Sequence, residues 1–285
     1  MSVRLFHMLI GSVVFFASLG LVFAADNPPN QPNQPNGMTE GQIILPSSQV
    51  SDLDVYQASD TSKKLGKVDN LIIFAHTGRI LYGVLHTGVA GRNIPVPWSA
   101  FQLQTGSDNK HFLTLNKTQD DIESAPTFHR NLTIFVNRDT VAAIDAFFAA
   151  RSTMPRMANV PEGTLPVSQM IVQSSRLSDL KVYNRKDANQ KLGSITNLII
   201  NVSTGHVLYG IVDTGIGGKN VPVPWNAFLL VRGEGRDRLW LTLDKSSDDM
   251  KLAPSVERKQ EVNVAQYGRS ADEFFGVRTA ARPRR

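Results

Sequence analysis

Two glycine-rich stretches of the chain end in a basic residue followed by asparagine. One runs Thr87-Gly88-Val89-Ala90-Gly91-Arg92-Asn93 and the other Thr214-Gly215-Ile216-Gly217-Gly218-Lys219-Asn220. Successive backbone N–H groups beside a cationic side chain can cradle an anion, which makes Arg92, Asn93, Lys219 and Asn220 the candidate binding residues. The Gly-x-x-x-x-Gly-Lys-Ser/Thr order of a phosphate loop is missing and no long helical pattern follows, so hairpin connection is the competing role. Their spacing is the stronger signal. Asn220 follows Asn93 by 127 residues (220 − 93), and Ser178-Asp179-Leu180-Lys181-Val182-Tyr183 follows Ser51-Asp52-Leu53-Asp54-Val55-Tyr56 by the same interval (178 − 51). An interval this long marks duplicated domains, since solenoid repeats run roughly 20 to 50 residues.

The duplication filters the remaining chemistry. A catalytic group needed in both copies must appear at both positions. His76 meets Ser203, His86 meets Asp213 and His206 meets Arg79, so no histidine is matched by a histidine. A repeated histidine-based metal or acid–base site is excluded on that ground. Asp52 and Asp179 do recur, each ahead of a strand, where a turn carboxylate accepts backbone hydrogen bonds. Asp120-Asp121 and Asp248-Asp249 follow a hydroxyl residue and read as helix caps, without the Asp-x-Asp-x-Asp-Gly order of a calcium loop. No Gly-x-Ser-x-Gly turn marks a nucleophile. Cysteine is absent altogether, which removes thiolate ligands, a cysteine nucleophile, a lipoprotein anchor and disulfides. The expectation is a protein with no catalytic residue, no metal and no cofactor.

The elements that must position these residues are short. Asp54 to Gln57, Val68 to Phe74, Ile80 to His86, Asn93 to Val96, Phe101 to Gln104 and Phe112 to Leu115 alternate apolar and polar residues as strands do. Ser62-Lys63-Lys64-Leu65-Gly66 and Thr77-Gly78 read as turns between them. Six short strands over so few residues predict a small closed or nearly closed β-barrel. A capped helix follows at Thr118 and stops at Ala125-Pro126, with its counterpart from Ser246 to Ala253-Pro254. A second helix over 139–151 carries Val141, Ile144 and Phe148 at helical spacing, and Asp272-Glu273-Phe274-Phe275 repeats Asp145-Ala146-Phe147-Phe148.

Pro95 and Pro97, like Pro222 and Pro224, deprive one strand edge of two N–H donors, so that strand belongs at an edge or bend. Trp98 and Trp225 follow and are expected to plug a barrel end. Tyr82 and Tyr209 read as core or rim residues, and Gly66 and Gly193 as backbone positions only glycine tolerates.

These residues resemble the PRC-barrel family in a fixed order of motifs: Asp-Leu-x-Val-Tyr, Lys-Leu-Gly-x-(Val/Ile)-x-Asn-Leu-Ile-Ile, Thr-Gly-x-(Ile/Val)-Leu-Tyr-Gly and Pro-Val-Pro-Trp-x-Ala-Phe. The first copy carries them at Asp52 to Tyr56, Lys64 to Ile73, Thr77 to Gly83 and Pro95 to Phe101. The second has them at Asp179 to Tyr183, Lys191 to Ile200, Thr204 to Gly210 and Pro222 to Phe228. The resemblance implies a mainly β fold of two tandem small barrels, each followed by short helices, and the character of an interaction module.

Composition sets the rest. The chain has 285 residues, 41% hydrophobic and 19% charged, with formal net charge +5; that is globular and too weakly basic to indicate nucleic acid. Arg4, the apolar stretch Leu9 to Phe23 and Val22-Phe23-Ala24 predict a signal peptide over 1–24, cleaved near Ala24. A Pro/Asn/Gln-rich spacer over 25–41 is expected to be disordered. Domain 1 then spans 42–150, a linker 151–166, domain 2 167–277 and a basic tail 278–285. The expected protein is an exported, periplasmic or secreted binding scaffold whose partner is another envelope protein or surface. Its barrels pair within the chain, and its tail makes a weak contact with anionic surfaces. A structural or stress-related envelope protein and an envelope-polymer hydrolase are the alternatives.

Overall fold

The computed structural model describes residues 41–88, 91–127, 138–151, 171–215, 219–233, 239–257 and 263–277. The signal-peptide and spacer expectations up to residue 40, the tail from 278 and the linker beyond 151 lie outside them. All described residues belong to one compact unit, Gln34–Arg285, and the fold is mainly β, a large sheet with a few short helices. Among the described residues no helix is long and apolar enough to cross a membrane.

The first half begins with β1 (Ile44–Pro46), helix α1 (Ser47–Val50), β2 (Asp54–Gln57), β3 (Asp60–Phe74), β4 (Arg79–His86) and β5 (Asn93–Pro97). A 3-10 turn, Trp98–Ala100, leads into β6 (Gln102–Thr105), β7 (His111–Leu115), α2 (Gln119–Ser124) and α3 (Arg138–Phe147). The second half repeats the order: β8 (Ile171–Gln173), α4 (Ser174–Leu177), β9 (Lys181–Asn184), β10 (Lys191–Asn201), β11 (His206–Asp213) and β12 (Lys219–Pro224). The turn Trp225–Ala227 then precedes β13 (Leu229–Arg232), β14 (Leu239–Leu243), α5 (Ser247–Leu252), β15 (Val256–Glu257) and α6 (Val264–Phe275).

Hydrogen bonds link ten of these strands in the order β13-β14-β9-β10-β11-β4-β3-β2-β7-β6, with β12 beside β11 and β5 beside β4. The order is a palindrome: each strand of one half is matched by its counterpart at the same distance from the β11–β4 junction. Leu71, Ile72 and Ile73 in β3 are all fully buried, as they must be in a central strand covered on both faces. Both short capped helices form where expected. Thr118 Oγ1 accepts from the Asp121 N–H at 3.2 Å while Asp121 Oδ2 accepts from the Thr118 N–H at 2.8 Å, and Ser246 and Asp249 reproduce the box.

One predicted turn is a strand. Ser62 to Gly66 lies inside β3, and the reversal falls between Gln57 and Asp60. Glycine is needed at Gly66 because a Cβ there would lie 2.3 Å from the His86 carbonyl oxygen, and at Gly193 because one would lie 2.4 Å from that of Asp213. These glycines permit a close strand approach; they do not make a turn. The prolines sit as their chemistry requires: among the described residues β5 pairs only with β4, and β12 meets β15 only at Lys219 and Asn220, ahead of Pro222 and Pro224.

The halves are interlocked. β1 pairs with β10 of the other half, and β8 pairs with β3. Ser47 Oγ donates to Asn197 Oδ1 at 2.8 Å and accepts from the Leu198 N–H. Ser174 Oγ donates to Asn70 Oδ1 at 2.8 Å and accepts from the Leu71 N–H. Each half thus lends its first strand and first helical turn to its neighbour, and one buried apolar cluster holds residues of both.

Candidate functional site

The junction between the halves is built from two turns and two tryptophans. β4 and β11 meet at Arg79 and His206, where the Ile80 N–H donates to the Gly205 carbonyl and the Val207 N–H to the Gly78 carbonyl. The Trp98 indole N–H donates across to the Val202 carbonyl at 3.2 Å, and that of Trp225 to the Ala75 carbonyl at 2.8 Å. Both indoles therefore reach into the opposite half. They lie close against the turn glycines, which have positive φ; a Cβ on Gly205 would fall 2.4 Å from Trp98 and one on Gly78 2.6 Å from Trp225. Two demands, backbone conformation and close approach, select glycine at each turn.

Each tryptophan borders a cleft. The Trp98 cleft, about 310 Å³, is lined by Ile80, Phe101, Leu103 and Leu113 together with Arg79, Ser99 and Thr204. The Trp98 and Phe101 rings are 5.6 Å apart. The Trp225 cleft, about 410 Å³, is lined by Val207 and Leu208 together with Gln42, Asn201, His206 and Asn226. There Asn201 Nδ2 donates to Gln42 Oε1 at 2.8 Å, and His206 Nδ1 lies 2.9 Å from the Thr204 carbonyl oxygen.

A second repeated arrangement is internal. Tyr82 Oη donates to Asp145 Oδ1 at 3.1 Å, and Tyr209 Oη to Asp272 Oδ1 at 3.0 Å. All four residues are buried. Burial, the neighbouring Asp272 carboxylate and its hydrogen bond, in that order, raise the Tyr209 hydroxyl far above the ordinary phenol range, so it stays a donor at any ordinary pH. Each pair fastens its terminal helix to β4 or β11 of the same half. Beyond the helix, Lys117 lies 4.3 Å from the Phe147 ring centre and Lys245 4.6 Å from that of Phe274. Lys245 also donates to the Phe274 carbonyl at 2.8 Å, closing the helix end electrostatically.

The four loop residues lie apart from the clefts. Arg92 donates to the carbonyls of Glu123 and Ala125 at the end of α2, so its guanidinium serves the helix terminus. Asn93 Oδ1 lies 3.0 Å from His86 Nδ1. Lys219 is exposed at the start of β12, opposite Glu257 in register. Asn220 is buried, and its Oδ1 has no hydrogen-bond partner among the described residues. Residues 89–90 and 216–218 of the two glycine stretches lie outside the described residues. Asp52 accepts from the Lys67 ammonium at 3.2 Å, and among the described residues no backbone N–H donates to it. Among the described residues no three or more histidine, cysteine or acidic side chains are grouped to hold a metal.

Sequence reasoning missed the clefts because each takes side chains from both halves. The Tyr–Asp pairs carried a usable signal: an acid kept at both helix positions, next to Ile144 on the apolar stripe, facing a tyrosine kept at both strand positions.

With the geometry in place, comparison with known proteins adds one family. A model of the PRC-barrel domain matches residues 171–247, from β8 to the start of α5. No curated protein matches the chain. The matched segment is a β module of the kind that suggests a binding or scaffold role.

Proposed function

We propose that the protein is a non-catalytic binding scaffold of the cell envelope, made of two PRC-barrel copies over 42–150 and 167–277. It is exported to the periplasm or secreted after cleavage near Ala24. The observation that carries this reading is the PRC-barrel match over 171–247, together with the recurrence of the same strand order in the first half. The recurring polar side chains support it further: Arg92, the tryptophan indoles and both Tyr–Asp pairs are engaged in holding the fold. The partner is another envelope protein or surface, met around the exposed Lys219 side chain, while the arginines of the tail add a weak attraction to anionic surfaces. Nucleic acid and cofactors play no part.

The test is cross-linked affinity capture from envelope extracts, comparing the wild type with a Lys219→Ala/Asn220→Ala variant. A discrete partner retained by the wild type and lost by the variant supports the reading. Capture of nothing specific by either protein favours the purely structural alternative. Release of soluble fragments from envelope polymers by the purified protein would show an enzyme instead.

A further inference from the structure

We propose that the Trp98 cleft is a binding site for a small anionic amphiphile, an alkyl carboxylate whose head group pairs with Arg79. Its chain would lie along Trp98, Phe101 and Leu103. The Arg79 side chain is exposed, and its guanidinium has no hydrogen-bond or ion-pair partner among the described residues; only its backbone N–H is engaged, by Thr77 Oγ1. No acidic residue lines the cleft, so the positive charge there is uncompensated. Arginine's planar fork of donors matches a carboxylate, and Ser99 and Thr204 also line the cleft.

The apolar wall is open where a ligand would need it. Trp98, Phe101 and Leu103 are only half-buried, above a floor of buried Ile80 and Leu113. A volume near 310 Å³ is at the small end of ligand sites, which suits a short chain. The other cleft serves as an internal control. Its tryptophan is 4% exposed, histidine replaces the arginine, and Gln42 bridges to Asn201 in front. It offers no guanidinium to a head group. The inference goes beyond the scaffold reading and does not need it, because purified protein and a purified ligand decide it.

The experiment is calorimetric titration of the purified protein with octanoate, followed in parallel by tryptophan fluorescence. One octanoate per chain is expected, with octanol and octylammonium each binding at least about tenfold more weakly, the scale of losing one charge-assisted hydrogen bond. Arg79→Gln should weaken octanoate about tenfold and leave octanol unchanged, while His206→Gln leaves both unchanged. Ser99→Phe, which fills the cleft from a solvent-exposed position, should abolish binding; unaltered thermal melting shows that each variant is folded. Equal binding of octylammonium, or octanoate affinity indifferent to Arg79→Gln, overturns the proposal. Preference for N-acetylphenylalanine over octanoate also overturns it, by assigning the cleft to a peptide C-terminus.

Discussion

The two clefts occupy equivalent places on either side of the β4–β11 junction, yet they are finished differently. Trp98 and Trp225 make the same bond to the opposite half, so the indole N–H is a structural requirement common to both. Around that shared anchor the first cleft has an arginine and a half-buried tryptophan, whereas the second has a histidine in the arginine's place and a tryptophan only 4% exposed. Duplication explains the difference. Groups needed to join the halves are held at both positions, and groups that merely line a cavity are free to diverge. Identity between the halves therefore marks architecture, and divergence at matched positions marks where to look for a ligand.

The comparison breaks most visibly at the tryptophans. Trp225→Ala removes a buried indole and leaves the Ala75 carbonyl without its donor, at a cost of about 3–5 kcal/mol. Trp98→Ala should cost roughly 1–2 kcal/mol, because less of that side chain is withdrawn from water. Urea denaturation of the two variants measures both. Equal losses would mean that the sealed and open clefts contribute alike, against the burial difference.

A smaller loss, about 1–3 kcal/mol, is expected for Tyr82→Phe and for Tyr209→Phe, since each leaves a buried carboxylate short of a hydroxyl donor. Here the halves should agree, as the two bonds differ by only 0.1 Å, at 3.1 and 3.0 Å. Helix α3 or α6 should loosen first, visible as faster amide exchange confined to the half that carries the substitution. A large inequality would show that one terminal helix is held mainly by other contacts.

Much of this was legible in the sequence, and what was not has a physical reason. Strand positions, the edge prolines and both capping boxes depend on neighbours close along the chain, so local chemistry reveals them. The interlocking does not. Ser47 can bond Asn70 in its own half or Asn197 in the other, and the two asparagines sit in equivalent settings. When a surface exists twice, residue types cannot say which copy a segment will cover; chain connectivity decides. The stretch Ser62 to Gly66 was misread for another reason. Lysines and a glycine suggest a turn, but here lysines lie on the exposed edge of a strand, with Lys64 paired to Asp54 at 2.6 Å, and the glycine admits a crossing carbonyl. The clefts, assembled from both halves, were invisible for the same reason as the interlocking.

The loop asparagines sharpen the contrast on a finer scale. Asn93→Ala removes the bond to His86 and should cost about 1 kcal/mol. Asn220→Ala removes an acceptor that has no partner among the described residues, so the change should lie close to zero. Chemical denaturation at neutral pH compares them directly. A cost for Asn220→Ala equal to that of Asn93→Ala would mean that Asn220 is satisfied in solution, and the supposed difference between the loops would vanish.

The smallest effect concerns acid. Hydrogen bonds from the Thr118 backbone and hydroxyl hold Asp121 below its ordinary value of 3.8, and those from Ser246 do the same for Asp249. A carboxylate whose pKa is depressed on folding stabilises the fold above its unfolded pKa, and that contribution disappears as pH falls through the lower, folded value. Both helix caps should therefore be intact at neutral pH and weaken only below about pH 4. Both carboxylates are exposed to solvent, so the slope is modest and salt-sensitive. Denaturation midpoints followed from pH 6 downward should fall less steeply for Asp121→Asn and Asp249→Asn than for the wild type, and by similar amounts. An undiminished slope in both variants would assign the acid sensitivity elsewhere. A reduced slope in only one would show that the two caps, alike in geometry, do not carry equal electrostatic weight.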